Sequence, residues 1–178
     1  MNRDIKSYRI ILYPKIKAEQ GKVVGLVIHE NDDEFKVPII LDDKELKRNH
    51  YRTLMTFHDK DTNKYFIYLT QKFYNIVMSD KNYSLVGIWH EIGHIHDGFH
   101  FESDEEGRSY RRNLCSTNKI NLLELGADSF AVQMTSKSTV ISFIDIMIRE
   151  RKNFNDANAV YTINEYNLRK KAIQKLKI

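Results

Sequence analysis

The sequence predicts an α+β fold, with a strand-rich part over residues 1–80 and a helical part over residues 81–178 that together make one domain. Two patterns predict it. Short segments rich in Ile, Val and Tyr, separated by turn residues, fill the first part. Apolar residues at three- and four-residue steps dominate the second part. A chain of 178 residues is also long enough to bury the core of one domain without disulfide support.

We expect the strand-rich part to form a mixed or antiparallel sheet. Turn signals at Gly21 and at the Asn-Asp-Asp sequence of residues 31–33 separate the first three apolar segments. The predicted strands are 7–13, 22–29, 35–41 and 65–69. Residues 42–56 predict a helix, and residues 71–78 predict either a short helix or a continuation of the last strand.

The first helix of the second part is predicted to end at Asp97 and Gly98. Its buried face is indicated by the helical period of Leu85, Ile88, Trp89, Ile92 and Ile95. Residues able to cap its start precede it, namely Ser79, Asp80, Asn82 and Ser84. Gly93 within this helix costs about 1 kcal/mol relative to Ala. We therefore expect another element to approach closely beside it.

The same helix carries the sequence His90-Glu91-Ile92-Gly93-His94, an H-E-x-x-H motif. Four residues are about one helical turn, so both imidazoles project from one face and can hold one zinc ion. Glu91 lies one residue further round the helix, where it could take a proton from a metal-bound water. Two histidines leave the site incomplete, because a catalytic zinc usually has three protein ligands and one open position.

Glu124 is the best candidate for the third ligand. A second helix is predicted from the period of Leu123, Ala127, Phe130, Ala131 and Met134. Glu124 and Asp128 lie one turn apart on this helix, on a surface otherwise made of small apolar groups. Unpaired carboxylates would be costly there, whereas a metal ion and a ligand imidazole would satisfy both. We assign Glu124 as a zinc ligand, and Asp128 as the acceptor that orients the outer N–H of His90 or His94.

The H-E-x-x-H motif, followed by E-x-x-A-D-x-F-A over residues 124–131, resembles the gluzincin metallopeptidases and most closely the compact ImmA/IrrE-like family. The resemblance extends over residues 83–134. It implies a zincin-like metallopeptidase domain with an active-site helix, a ligand-glutamate helix and further C-terminal helices. In such a domain His90, His94 and Glu124 bind one zinc ion, Glu91 is the general base, and Asp128 supports a ligand histidine.

The expected function is that of a zinc-dependent metalloendopeptidase acting on a protein substrate. Zinc would polarise the scissile carbonyl, while Glu91 takes a proton from the zinc-bound water and passes it to the leaving amine. Tyr110, His96 and His100 are the candidates for stabilising the oxyanion. Zinc peptidases of this type bind extended substrates on an edge strand beside the active-site helix, and we expect residues 65–70 to supply that strand.

His100 is an alternative third ligand. His90, His94 and His100 share the spacing of the metzincin motif H-E-x-x-H-x-x-G-x-x-H. Asp97 occupies the position of its turn-forming glycine, however, and Asp adopts left-handed backbone geometry less readily than Gly. Glu124 is favoured, because the metzincin arrangement leaves the two carboxylates of the second helix without a role.

The cysteine content and the distribution of apolar residues indicate the cellular compartment. Cys115 is the only cysteine, which rules out an internal disulfide and suggests a reducing compartment. Residues 1–20 lack a signal-peptide core and no apolar run approaches membrane-spanning length, so we expect a cytoplasmic protein with no membrane partner.

The net charge of +4 includes basic clusters at 149–152 and 169–177. These alternate with apolar positions of predicted helices over residues 138–151 and 158–177, which favours a solvated basic face over a nucleic-acid site.

Two other classes of function stay open at this point. A non-catalytic binding or effector protein could keep the same scaffold, although a purely structural zinc has no use for a base at Glu91. A nucleic-acid-binding protein could use zinc only to stabilise its fold. The expected partner is otherwise a protein or peptide substrate, and the resemblance implies an intracellular regulatory protein.

Overall fold

The Ile-, Val- and Tyr-rich segments form a five-stranded mixed sheet, and helices follow it, so the predicted α+β class is confirmed. In this computed structural model, the described residues are 3–13, 19–48, 54–79, 81–98, 121–153 and 157–177. The strands are β1 (Tyr8–Leu12), β2 (Lys22–His29), β3 (Asp32–Leu41), β4 (Leu54–Asp59) and β5 (Lys64–Leu69). A 3-10 turn at Ile5–Ser7 leads into β1.

The order of strands across the sheet is β1-β2-β3-β5-β4. The first three strands are antiparallel neighbours, β5 runs parallel to β3, and β4 pairs antiparallel with β5. Within the described sheet, β5 is therefore an interior strand and β4 is an edge strand. The expectation that residues 65–70 form the edge beside the active-site helix is wrong. Parallel strands cannot be joined by a tight turn, so β5 cannot follow β3 directly in the sequence. Helix α1 and strand β4 come between them, and β5 then pairs with both β3 and β4.

The predicted helix over residues 42–56 is only partly present. Helix α1 (Asp43–Arg48) occupies its first half, whereas its last residues belong to β4. Thr56, for example, lies opposite Ile67 of β5. Pairing with a neighbouring strand outweighs the weak local preference for helix in this segment, because strand stability depends mostly on cross-strand contacts.

The other helices agree with the predicted patterns, and residues 71–78 resolve as helix. They are α2 (Gln71–Ser79), α3 (Lys81–His96), α4 (Leu122–Met134), α5 (Lys137–Arg151) and α6 (Ala157–Lys175). Gly98, with a φ of 66°, supplies the left-handed residue that ends α3. Asn121 caps α4, because its side chain accepts hydrogen bonds from the first main-chain N–H groups of that helix. Across the described residues, every helix is too short or too polar to span a bilayer.

One hydrophobic core joins the sheet to the helices. Its fully buried members from the sheet include Tyr8, Val27, Ile39, Ile67 and Leu69. Its buried members from the helices include Ile88, Ile92, Ala131, Ile144 and Ile173. Because the apolar face of α3 is held in this core, the polar residues of its H-E-x-x-H motif project from a different side of the helix.

Helices α3 and α4 cross at Gly93. A Cβ atom at this position would lie 2.7 Å from the Cα of Ala127 and 3.0 Å from the Cβ of Phe130. The first distance is shorter than real Cβ contacts and the second is tighter than nine in ten of them, so a side chain here would push the two backbones apart. The close approach that the glycine predicts is therefore confirmed.

Replacing Gly93 with Ala should destabilise the protein. The overpacking cost of about 3 kcal/mol exceeds the gain of about 1 kcal/mol in helix propensity, because the new methyl group meets the backbone of Ala127. We expect the free energy of unfolding in urea to fall by about 1–2 kcal/mol. Gly87→Ala is the matched control on the same helix. The atoms nearest to its Cβ would be the side-chain ends of Phe73, Leu54 and Phe143, which can shift, so an equal loss in the control would contradict the backbone explanation.

Candidate metal centre

The two histidines of the motif lie together on one side of α3. Their ring centroids are 4.8 Å apart, and the side chains of His90 and His94 are 12% and 13% exposed. The spacing of one helical turn places them side by side. Their burial follows from the crossing of α4 over this part of α3, so both imidazoles face the second helix.

Glu124 completes a group that could hold a metal ion. Its Oε2 lies 3.1 Å from Nε2 of His90, and its Oε1 lies 3.8 Å from Nε2 of His94. One candidate ligand atom from each of the three residues falls within 4.8 Å of the others. Two imidazole nitrogens and one carboxylate oxygen are the donor set of His2Glu catalytic zinc sites, so these residues fit a zinc ion. The pairing across helices also places Glu124 where the sequence pattern predicts.

Asp128 contacts His90 and orients its ring. Its Oδ1 lies 2.8 Å from Nδ1 of His90, so Nδ1–H donates to the carboxylate and Nε2 is left facing Glu124. This is the arrangement that holds a ligand histidine in the correct tautomer. Of the two histidines that the sequence left open as partners of Asp128, the structure selects His90.

Arg169 from α6 is a member of this cluster that the sequence analysis missed. It is 6% exposed, and its Nε and Nη2 donate hydrogen bonds of 2.7 Å to the two carboxylate oxygens of Asp128. Its Nη1 donates to Oε2 of Glu124 at 3.1 Å. The interpretation of residues 169–177 as a solvated basic face is therefore wrong for Arg169. A signal was present, because Arg169 is in phase with the apolar positions Tyr166 and Ile173 of its helix.

Two neighbours of Arg169 on α6 extend the cluster. The guanidinium carbon of Arg169 lies 5.2 Å from the ring centroid of Tyr166, which is a cation–π distance. Burial, together with the negative charge of Glu124, raises the pKa of Glu165 to about 7. Helix α6 thus presents a polar face to the candidate metal centre.

The pKa shifts follow from burial and from these charges. Burial alone would raise the pKa values of Glu124 and Asp128, but Arg169 and His90 outweigh it and hold both below their ordinary range. Burial would likewise lower the pKa of His90, yet the carboxylates of Asp128 and Glu124 raise it to about 10. The pKa of His94 is lowered, mainly by burial. The two acids are therefore ionised at neutral pH.

Glu91 is held by the edge strand of the sheet. Its Oε2 accepts a hydrogen bond from the main-chain N–H of Thr56 and another from the Thr56 hydroxyl, both at 2.7 Å. The oxygen of the same hydroxyl also lies 3.1 Å from the main-chain oxygen of Glu91. Sequence reasoning missed Thr56, because it placed this residue in a helix.

His96, another candidate of the sequence analysis, lies away from this group. The ring of His96 faces away from the metal group, since two residues after His94 is about 200° further round a helix. His96 instead forms a 3.1 Å hydrogen bond between its Nδ1 and the Tyr8 hydroxyl, and its ring packs 5.2 Å from that of Phe130. This placement does not favour an oxyanion role. His100, Tyr110 and Cys115 lie outside the described residues.

Comparisons with protein-family models, with curated proteins and with solved structures gave no match for this chain. The chemistry of the cluster is therefore the basis on which a function can be proposed.

Metal content should separate the two candidate third ligands. Glu124→Ala removes the carboxylate that faces both imidazoles, so we expect this variant not to bind zinc. His100→Ala should keep zinc at the wild-type level. The measurement is the zinc content per protein chain, determined by elemental analysis of both variants after dialysis against a buffer with a fixed low concentration of free zinc. Zinc retained in Glu124→Ala and lost in His100→Ala would favour the metzincin arrangement.

Metal binding should release a proton from His90. With a pKa of about 10, His90 carries a proton that a metal ion must displace. At a pH of about 8.5, Glu165 is ionised and His90 is still protonated, so His90 should release about one proton per zinc ion and a zinc-bound water, with a pKa of about 7, about one more. The apparent affinity should then rise about a hundredfold per pH unit. Calorimetry in two buffers of different ionisation enthalpy counts the protons, and a count of about one or fewer would contradict the release from His90.

Proposed function

We propose that the protein is a zinc-dependent metalloendopeptidase with a zincin-like fold. The observation that carries the proposal is the convergence of His90, His94 and Glu124 from two crossing helices into one metal-binding group. Glu91 follows His90 directly on the same helix and has its carboxylate held by β4. A metal-ligand set beside a positioned carboxylate is the arrangement that hydrolysis of an amide requires.

The chain's own residues account for the steps of such a reaction. Zinc, when bound, supplies polarisation of the scissile carbonyl and lowers the pKa of a bound water to about 7. Glu91 takes the proton of the attacking water and delivers it to the leaving amine. The Thr56 hydrogen bonds to Oε2 fix the direction of the Glu91 carboxylate, and we assign the proton transfer to its other oxygen, Oε1. Asp128 holds the ring of His90 in place throughout.

The substrate that we propose is an extended segment of a protein or peptide. β4 is the edge strand that lies against α3, since Thr56 directs its main-chain N–H to Glu91 rather than to β5. An extended peptide could pair with outward main-chain groups of β4 other than the Thr56 N–H, which Glu91 occupies, and would then pass alongside the candidate metal centre. Main-chain pairing of this kind needs no particular sequence, so it leaves side-chain pockets to determine specificity.

Two other functions, a non-catalytic effector and a nucleic-acid-binding protein, can be distinguished from the peptidase by experiment. A non-catalytic effector on this scaffold would bind zinc without needing a carboxylate at Glu91, whereas here Thr56 donates both its main-chain N–H and its hydroxyl to that carboxylate. A nucleic-acid-binding protein would use the basic residues of α5 and α6, but Arg169 is buried and Lys170 pairs with Asp145. Salt-sensitive DNA binding that is unchanged in Glu91→Gln would favour the nucleic-acid function.

Replacing Glu91 with Gln should abolish turnover and leave zinc bound. The amide keeps the shape of the side chain and can still accept from Thr56, but it cannot take a proton. We expect peptide cleavage to fall by about 10²–10⁴-fold, as measured by mass spectrometry of a denatured protein mixture incubated with each variant. Glu30→Gln, an exposed residue paired with Arg9, is the matched control. Equal cleavage by wild type and Glu91→Gln, with zinc present in both, would rule out the proposed mechanism.

A further inference from the structure

Arg169 and a bound metal ion would act on the same two carboxylates. All three guanidinium nitrogens of Arg169 are used, two on Asp128 and one on Glu124. Side-chain exposure is 8% for Arg169, 3% for Asp128 and 24% for Glu124. Removing a guanidinium that pairs with a buried carboxylate and a largely buried one would be strongly destabilising. Arg169 therefore supplies the charge balance that a metal ion would otherwise have to supply alone.

The guanidinium also distinguishes the two oxygens of Glu124. Oε2 accepts from Arg169 Nη1 and lies at the same 3.1 Å distance from Nε2 of His90, whereas Oε1 faces His94. The planar fork of an arginine fixes such directions, because its donors point at set angles and form paired bonds with a carboxylate. A lysine could keep the charge, but as a single point it would not hold both acids in these orientations.

We propose, on the basis of the function proposed above, that Arg169 is a positioning residue of the metal centre. Its fork orients Glu124 and Asp128 toward the imidazoles, and its charge stabilises that acidic pair independently of the metal. The C-terminal helix α6 is then part of the metal centre, although it contributes none of the three candidate ligands.

Two variants separate the charge of Arg169 from its geometry. Arg169→Met removes the charge and keeps much of the side-chain volume. In chelator-treated protein its Tm should fall by roughly 6–20 °C, because Asp128 and Glu124 lose the buried guanidinium that pairs with both and keep only His90 as a cationic neighbour. In zinc-loaded protein the fall should be less than half as large, because the metal ion then balances the same charges. A variant that folds only with zinc present would be the extreme form of this result.

Arg169→Lys keeps the charge and removes the fork. We expect its zinc affinity, measured by competition with a chromophoric chelator, to fall by about 10–100-fold. Its Tm in chelator-treated protein should stay closer to wild type than that of Arg169→Met. The visible absorption bands of the cobalt(II)-substituted protein should also shift, because the direction of Glu124 changes.

Lys170→Met is the matched control, since Lys170 is the next residue of α6 and pairs with the half-exposed Asp145 instead. It should leave zinc affinity and the cobalt spectrum unchanged. Equal losses of Tm with and without zinc in Arg169→Met, together with wild-type zinc affinity in Arg169→Lys, would overturn the positioning role while leaving the proposed function intact. Wild-type protein that fails to bind zinc would overturn both.

Discussion

The candidate metal centre depends on the crossing of α3 and α4 at Gly93. Packed helices usually keep their axes 8–10 Å apart, according to the side chains between them, and at this crossing one side chain is only a hydrogen atom. The Cα of Ala127 therefore comes within 2.7 Å of where a Cβ on Gly93 would be. That approach lets Asp128 and Glu124 reach the ring nitrogens of His90 at 2.8 Å and 3.1 Å. The residue without a side chain thus decides whether the functional side chains meet.

Buried charge is the second organising constraint. The acids come from α4, the imidazoles from α3 and the guanidinium from α6, so the charges balance only when all three helices are packed together. Breaking one member of such a buried set leaves its partners uncompensated, which costs far more than an exposed ion pair. The same network therefore orients the candidate ligands and ties the C-terminal helix to the rest of the fold. Thr56 extends the connection to the sheet through Glu91.

Some parts of this site were predictable because they depend on local periodicity. The spacing of His90 and His94 and the position of Glu124 each follow from the 3.6-residue period of a helix. The close approach at Gly93 was predictable too, because a glycine in a helix interior calls for a packing reason. Arg169 was missed for the opposite reason. Lys170 and Lys171 follow it and suggest a solvated basic run, and its phase with Tyr166 and Ile173 does not by itself show that acids of another helix pair with it.

The sequence by itself determined the class of the fold, the helices that carry the motif and its partner acids, and the faces those residues share. These features arise from interactions between residues a few positions apart, and such interactions leave a period in the sequence. Only the tertiary structure decided that Asp128 contacts His90 rather than His94, that β4 rather than β5 lies at the edge beside α3, and that Arg169 is buried. Each of these depends on which distant segments pack together, because packing of the whole core selects among arrangements that are locally equivalent.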